Sequence, residues 1–100
     1  MFALVVRFEV KPESVEAFDA LTTKTLRGIR EHEDGTLLYV TCAVGDSPHS
    51  RVFLEIYRDE AAFREHEESA HTRHFLTERE HLVDSFRVEF LSPLGGKYPT

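Results

Sequence analysis

From Phe2 onward the chain alternates in chemistry, with Phe2, Leu4, Val6, Phe8 and Val10 on one side and Ala3, Val5, Arg7 and Glu9 on the other. A period of two is that of a strand, so residues 2–10 are predicted as a strand with one wholly apolar face. Lys11-Pro12-Glu13-Ser14 breaks the alternation, and a proline followed by an acid suits the first turn of a helix. Val15, Phe18, Leu21 or Thr22, Thr25 or Leu26, and Ile29 then recur at steps of three and four, which predicts an amphipathic helix to about Glu31. Asp34-Gly35 is a turn signal, and the uncharged, β-rich run Leu37–Val44 reads as a second strand. Gly45–Ser50 is predicted as a loop and Arg51–Tyr57 as a third strand that closes a hairpin. That strand sets Val52, Leu54 and Ile56 against Phe53, Glu55 and Tyr57.

Asp59 is placed to cap a helix carrying Ala62, Phe63 and His66 on one side, and Ser69 to cap a second short helix through Phe75 and Leu76. From Asp84 the alternation returns, with Phe86, Val88 and Phe90 against Arg87, Glu89 and Leu91, a fourth strand. Residues 92–100, with Pro93, Gly95, Gly96 and Pro99, are expected to form an irregular tail in which Leu94 and Tyr98 are the anchoring side chains. No repeat or linker divides the chain, so residues 1–100 are expected to form one domain. The order βαββαβ is that of a ferredoxin-like α+β sandwich, an antiparallel sheet with its helices on one face. The other face keeps large apolar groups, and a second copy of the sheet is the expected cover, making a homodimer.

Charge removes several classes of partner. Lys plus Arg number 12 against 18 Asp plus Glu, a net charge of −6, whereas binding to phosphate needs a basic surface. Neither nucleic acid nor a membrane is an expected partner. The longest apolar run, Met1–Val6, is far short of the ~20 residues of a membrane span. It also lacks the basic leader and cleavage site of a signal peptide, so a cytoplasmic location is expected. Cys42 is the single cysteine, which excludes an intrachain disulfide and a cysteine-rich zinc site.

Four of the six histidines, His66, His71, His74 and His81, fall between the third and fourth strands. Histidine titrates nearest neutrality and serves as base, acid or ligand. The interleaved Arg64, Glu65, Glu67, Glu68 and Arg73 read as a solvated face, and in one continuous helix His66 and His71 would point different ways. His71 and His74 are three apart, with Glu67 and Glu78 at four-residue steps from them, but the His-Glu-x-x-His pattern is missing and no metal is expected. Gly95-Gly96 is followed by no helix and makes no phosphate cradle, so no nucleotide cofactor is expected. Cys42, mid-strand among apolar neighbours, reads as a packed thiol. Glu55 stands out as an ionisable group in the middle of a central strand, where an unpaired charge is costly. Arg7 on the neighbouring strand is its expected partner, and the pair reads either as an ion pair closing the sheet or as a catalytic carboxylate with its counter-ion.

Residues 54–75, Leu-Glu-Ile-Tyr-Arg-Asp-Glu-Ala-Ala-Phe-Arg-Glu-His-Glu-Glu-Ser-Ala-His-Thr-Arg-His-Phe, resemble the central signature of the antibiotic biosynthesis monooxygenase family. In that signature a strand ending in Glu-x-aromatic-x-Asp leads to Ala-x-x-x-His and then Ser-x-His. Val10-Lys11-Pro12 and the Asp34-Gly35 turn are also similar, and the likeness extends over about residues 2–91. It implies a dimeric α+β barrel of two sheets packed face to face, with a pocket between sheet and helices in each subunit. Relatives oxygenate quinols or phenolic polyketides with molecular oxygen and without metal or flavin, while others degrade haem or isomerise small signalling molecules. Haem degraders rely on an asparagine, a tryptophan and a histidine, and this chain contains no asparagine and no tryptophan; the family often has tryptophan where Tyr57 stands. The matching motif positions are Glu55, Tyr57, His66 and His71. The resemblance thus implies a cofactor-independent monooxygenase of a quinol or phenolic substrate. In it His66 or His71 is the base, Tyr57 and Arg7 hold the substrate oxygen, and Tyr39, Phe63 and Phe75 form the wall. His66 is the favoured base, since it shares a helical face with Ala62 and lies about one turn beyond Phe63. The alternatives on the same fold are a non-catalytic small-ligand-binding dimer and a cofactor-free isomerase.

Overall fold

The computed structural model describes residues 1–98. Strand β1 spans Phe2–Val10, a single turn of 3-10 helix Pro12–Ser14, α1 Val15–His32, β2 Thr36–Val44, β3 Ser47–Tyr57, α2 Glu60–Glu68, α3 Ala70–Arg79 and β4 Val83–Leu91. The strands form one antiparallel sheet in the order β2-β3-β1-β4, the ferredoxin-like arrangement, with its second helical segment split in two.

Alternation in β1 does what the pattern requires: Leu4, Val6, Phe8 and Val10 are buried beneath the helices together with Phe18, Leu21, Phe53, Tyr57, Ala62 and Phe75. At its centre the rings of Phe8, Phe18, Phe53 and Phe75 pack with centroids 4.8–6.0 Å apart. Tilted and edge-on contacts at such spacing add roughly 0.5–1.5 kcal/mol each beyond the area they bury.

Both helix caps expected after β3 are formed. The Asp59 carboxylate accepts the Ala62 N–H at 2.8 Å, and Ser69 Oγ accepts the Thr72 N–H at 3.3 Å. Ser69 is itself extended, with φ −65° and ψ 150°, so α2 and α3 are separate helices rather than one continuous one. The hairpin differs from the sequence reading. β3 begins at Ser47, only Gly45 and Asp46 separate it from β2, and Ala43 pairs with Arg51 while Val44 pairs with Ser47. The intervening Pro48–Ser50 segment therefore bulges, as suits a proline with no N–H for the ladder.

On the sheet face away from the helices, Val40, Leu54 and Leu91 remain 43%, 42% and 46% exposed. The tail Ser92–Tyr98 has no regular structure; Tyr98 lines a surface hollow with Leu38 and Ile56, whereas Leu94 is fully exposed. Pro99, counted in the expected tail, lies outside the described residues. Among those residues no helix is long and apolar enough to cross a membrane.

Candidate active site

The register of the sheet assembles the first half of the site. Glu55 of β3 lies opposite Leu4 of β1 and Tyr39 of β2, all on the helix-covered face. Tyr57, two residues on, shares that face, and its hydroxyl donates to Glu55 Oε1 at 2.6 Å. The expected Arg7–Glu55 pair does not form. Arg7 lies opposite Val52 on the other face, where its guanidinium meets Glu9 and Ser50 Oγ, both at 3.3 Å. Pairing fixes the face as well as the neighbour, and the register that puts Leu4 beside Glu55 turns Arg7 away from it. Arg7 is thereby also removed from the cavity in which it was expected to hold a substrate oxygen.

Glu55 is only 5% exposed. Burial pushes its carboxyl up to about 7, an effect that the Tyr57 hydrogen bond and nearby His66 oppose without cancelling. Tyr57, with no exposure at all, is held far above the usual phenol range by the same burial and by the adjacent Glu55.

The helices supply the second half. His66 of α2 is buried with Nε2 4.0 Å from Glu55 Oε1, its ring centroid 5.3 Å from that of Tyr57 and 5.5 Å from that of Tyr39. Its Nδ1 lies 2.9 Å from Glu33 Oε1, and His71 Nε2 reaches Glu33 Oε2 from α3. Continuous helix would have set the two histidines on different faces; the break at Ser69 lets both converge on one carboxylate. Gly28 makes room for this, because a Cβ there would stand 2.5 Å from Cγ of His71.

Glu33 is the residue that sequence reasoning missed. It follows the last residue of α1, where a carboxylate opposes the helix dipole, and that misplacement was the one local signal available. Burial alone would push its carboxyl up, but hydrogen bonds from His66, Thr36 and His71 outweigh this and hold it at about 2. Thr36 Oγ1 donates to Glu33 Oε1 at 2.5 Å. As the carboxylate, Glu33 can only accept, so it selects the His66 tautomer with hydrogen on Nδ1 and a free lone pair on Nε2.

His66 and Glu55 open onto a cavity of about 110 Å³ between sheet and helices. Tyr39, Phe63 and Phe75 line it, and Arg79 and Phe86 lie along it too. Tyr57 and His71 are not among the lining residues: Tyr57 connects to the cavity through Glu55, and His71 through Glu33 and then His66. As for metal ligation, the donor atoms of Glu33, His66 and His71 lie within 4.8 Å of one another, a nitrogen and carboxylate set of the type zinc accepts. The spacing noted in sequence, His71 with His74, forms no such group among the described residues. The three clustered donors already satisfy one another by hydrogen bonding.

The fold agrees with the comparisons. The antibiotic biosynthesis monooxygenase family model matches residues 1–78, and the chain belongs to that family. A Bacteroides thetaiotaomicron protein assigned to the same class superposes with a TM-score of 0.91 at 23% identity, over 99% of this chain and 94% of that one. A Mycobacterium tuberculosis protein gives 0.89 at 28% identity over 97% and 98%, and one from Shewanella oneidensis 0.84 at 30% over 90% and 87%. None of the curated proteins matches the chain.

Proposed function

We propose that the protein is a cofactor-independent monooxygenase that oxidises a quinol or similar phenol with molecular oxygen. The observation that carries this reading is His66, anchored through Nδ1 on Glu33 and presenting Nε2 to an apolar cavity beside Glu55. A positioned base of this kind converts a phenol to the phenolate, whose electrons oxygen can accept. Excluding water strengthens the electrostatics of each step. His66 Nε2 takes the hydroxyl proton, and Glu55, with a carboxyl near 7, is a second group able to give or take a proton. The oxidised ring carbon combines with oxygen, and the hydroperoxide so formed loses water. A hydroquinone and O2 thus become a hydroxyquinone and H2O, with both oxygen atoms accounted for and no external reductant.

The working unit of this reading is a homodimer in which a second copy covers the face bearing Val40, Leu54 and Leu91. Oxygen uptake with a panel of hydroquinones tests the reaction. Uptake in step with product is expected. Turnover without uptake would instead mean an isomerase built on the same acid–base pair, and binding without turnover a ligand-binding dimer.

A further inference from the structure

We infer that the cavity is built for an aromatic ring carrying an anionic substituent, and that Arg79 receives that substituent. This deepens the proposed function and rests on its reading of the cavity as the substrate site. Arg79 lies at the end of α3, half-buried, with its guanidinium carbon 4.1 Å from the centre of the Phe86 ring and 5.6 Å from that of Phe8. These rings hold the cation without using its N–H donors. Arg7, Arg51, Arg58, Arg64 and Arg87 each have a carboxylate within 4.0 Å; among the described residues Arg27, Arg30, Arg73 and Arg79 have none, and of these four Arg79 alone is not exposed. No hydrogen bond from it to a protein acceptor forms there either. Glu67 and Glu80 are near enough to favour its charge but not to contact it.

A half-buried guanidinium with free donors on an apolar cavity is a recognition group for a carboxylate, which it meets in a planar, two-point geometry. The same cavity carries His66 and Glu55, so a ring bound there meets proton-accepting groups and a cation in one space. The volume of about 110 Å³ is close to the ~150 Å³ that houses a benzene, which favours one ring over a fused polycycle. The ligand class is accordingly a monocyclic phenol or hydroquinone bearing a carboxylate or comparably compact anion.

Calorimetric titration of the intact protein at neutral pH with 4-hydroxybenzoate and with neutral 4-hydroxybenzyl alcohol tests this directly. The acid is expected to bind about 10- to 100-fold more tightly, the usual worth of a charge-assisted pair. In Arg79→Gln the ratio of the two affinities should fall toward one, with Arg79→Lys intermediate. Equal affinities in the wild type, or an undiminished ratio in Arg79→Gln, would overturn the inference. Oxygen uptake with hydroquinone and with 2,5-dihydroxybenzoate separates it from the reaction itself. Preferential acid binding with no uptake leaves the anion site standing and removes the monooxygenase reading. Uptake on the neutral quinol with no preference for the acid does the reverse.

Discussion

Glu33 Oε1 stands 2.9 Å from Nδ1 of His66, joining the end of the first helix to a residue 33 positions away on the second. That contact gives the buried histidine a direction, with Nδ1 committed to Glu33 and Nε2 left for the cavity. Removing the ring and removing its anchor should therefore have graded effects. His66→Ala is expected to lower the rate on the best phenol about 100- to 10,000-fold, and Glu33→Gln about 10- to 100-fold. Steady-state kinetics on folded variants checks both, and full activity in His66→Ala would eliminate the histidine base.

The two buried carboxyls give opposite pH dependences. Glu33 titrates at about 2 against an ordinary value of 4.5, so its stabilising contribution is present above 4.5 and is lost as pH falls toward 2. Glu55, raised to about 7, contributes in the other sense: its share is present below 4.5 and is lost as pH rises through 7. Denaturation midpoints measured from pH 2 to 9 should show the acid limb weakened in Glu33→Gln and the loss toward neutral pH weakened in Glu55→Gln. The activity profile should carry a Glu55 inflection near 7, so that Glu55→Gln changes its shape there.

Gly28 is required by its neighbour rather than by its own backbone. An alanine Cβ would sit 2.5 Å from Cγ of His71, whereas at Gly45 an added Cβ meets nothing within 4 Å. Gly28→Ala is expected to cost about 1–3 kcal/mol and to displace His71 from Glu33, and Gly45→Ala to leave packing untouched. Thermal unfolding of the two variants, with histidine NMR shifts for the site, makes the comparison.

The proposed association through the open sheet face predicts a charge-sensitive interface. Leu54→Asp, on a central strand and 42% exposed, should convert the dimer to monomer without unfolding it. Sedimentation of the wild type and the variant at micromolar concentration is the measurement, and a monomeric wild type would refute the dimer.

Local pattern determined the order and type of the strands and helices and even the two caps, though it placed the start of β3 at Arg51 rather than Ser47, because period, proline placement and capping chemistry act within a few residues. The alternation from Phe2 to Val10, the Asp59 cap and the Ser69 cap all recur in the structure. The motif positions Glu55 and His66 were equally legible, since Glu55 interrupts an apolar strand face and His66 falls on the buried side of its helix. Partner choice was not. Strand register is a property of the assembled sheet, and it gave Leu4 rather than Arg7 to Glu55 as its neighbour. The convergence of His66 and His71 on Glu33 depends on the angle between α2 and α3 at Ser69 and on the space left by Gly28, which belong to no single segment. The same holds for Arg79, whose place on the cavity rests on Phe8 of β1 and Phe86 of β4 meeting it from the two ends of the chain.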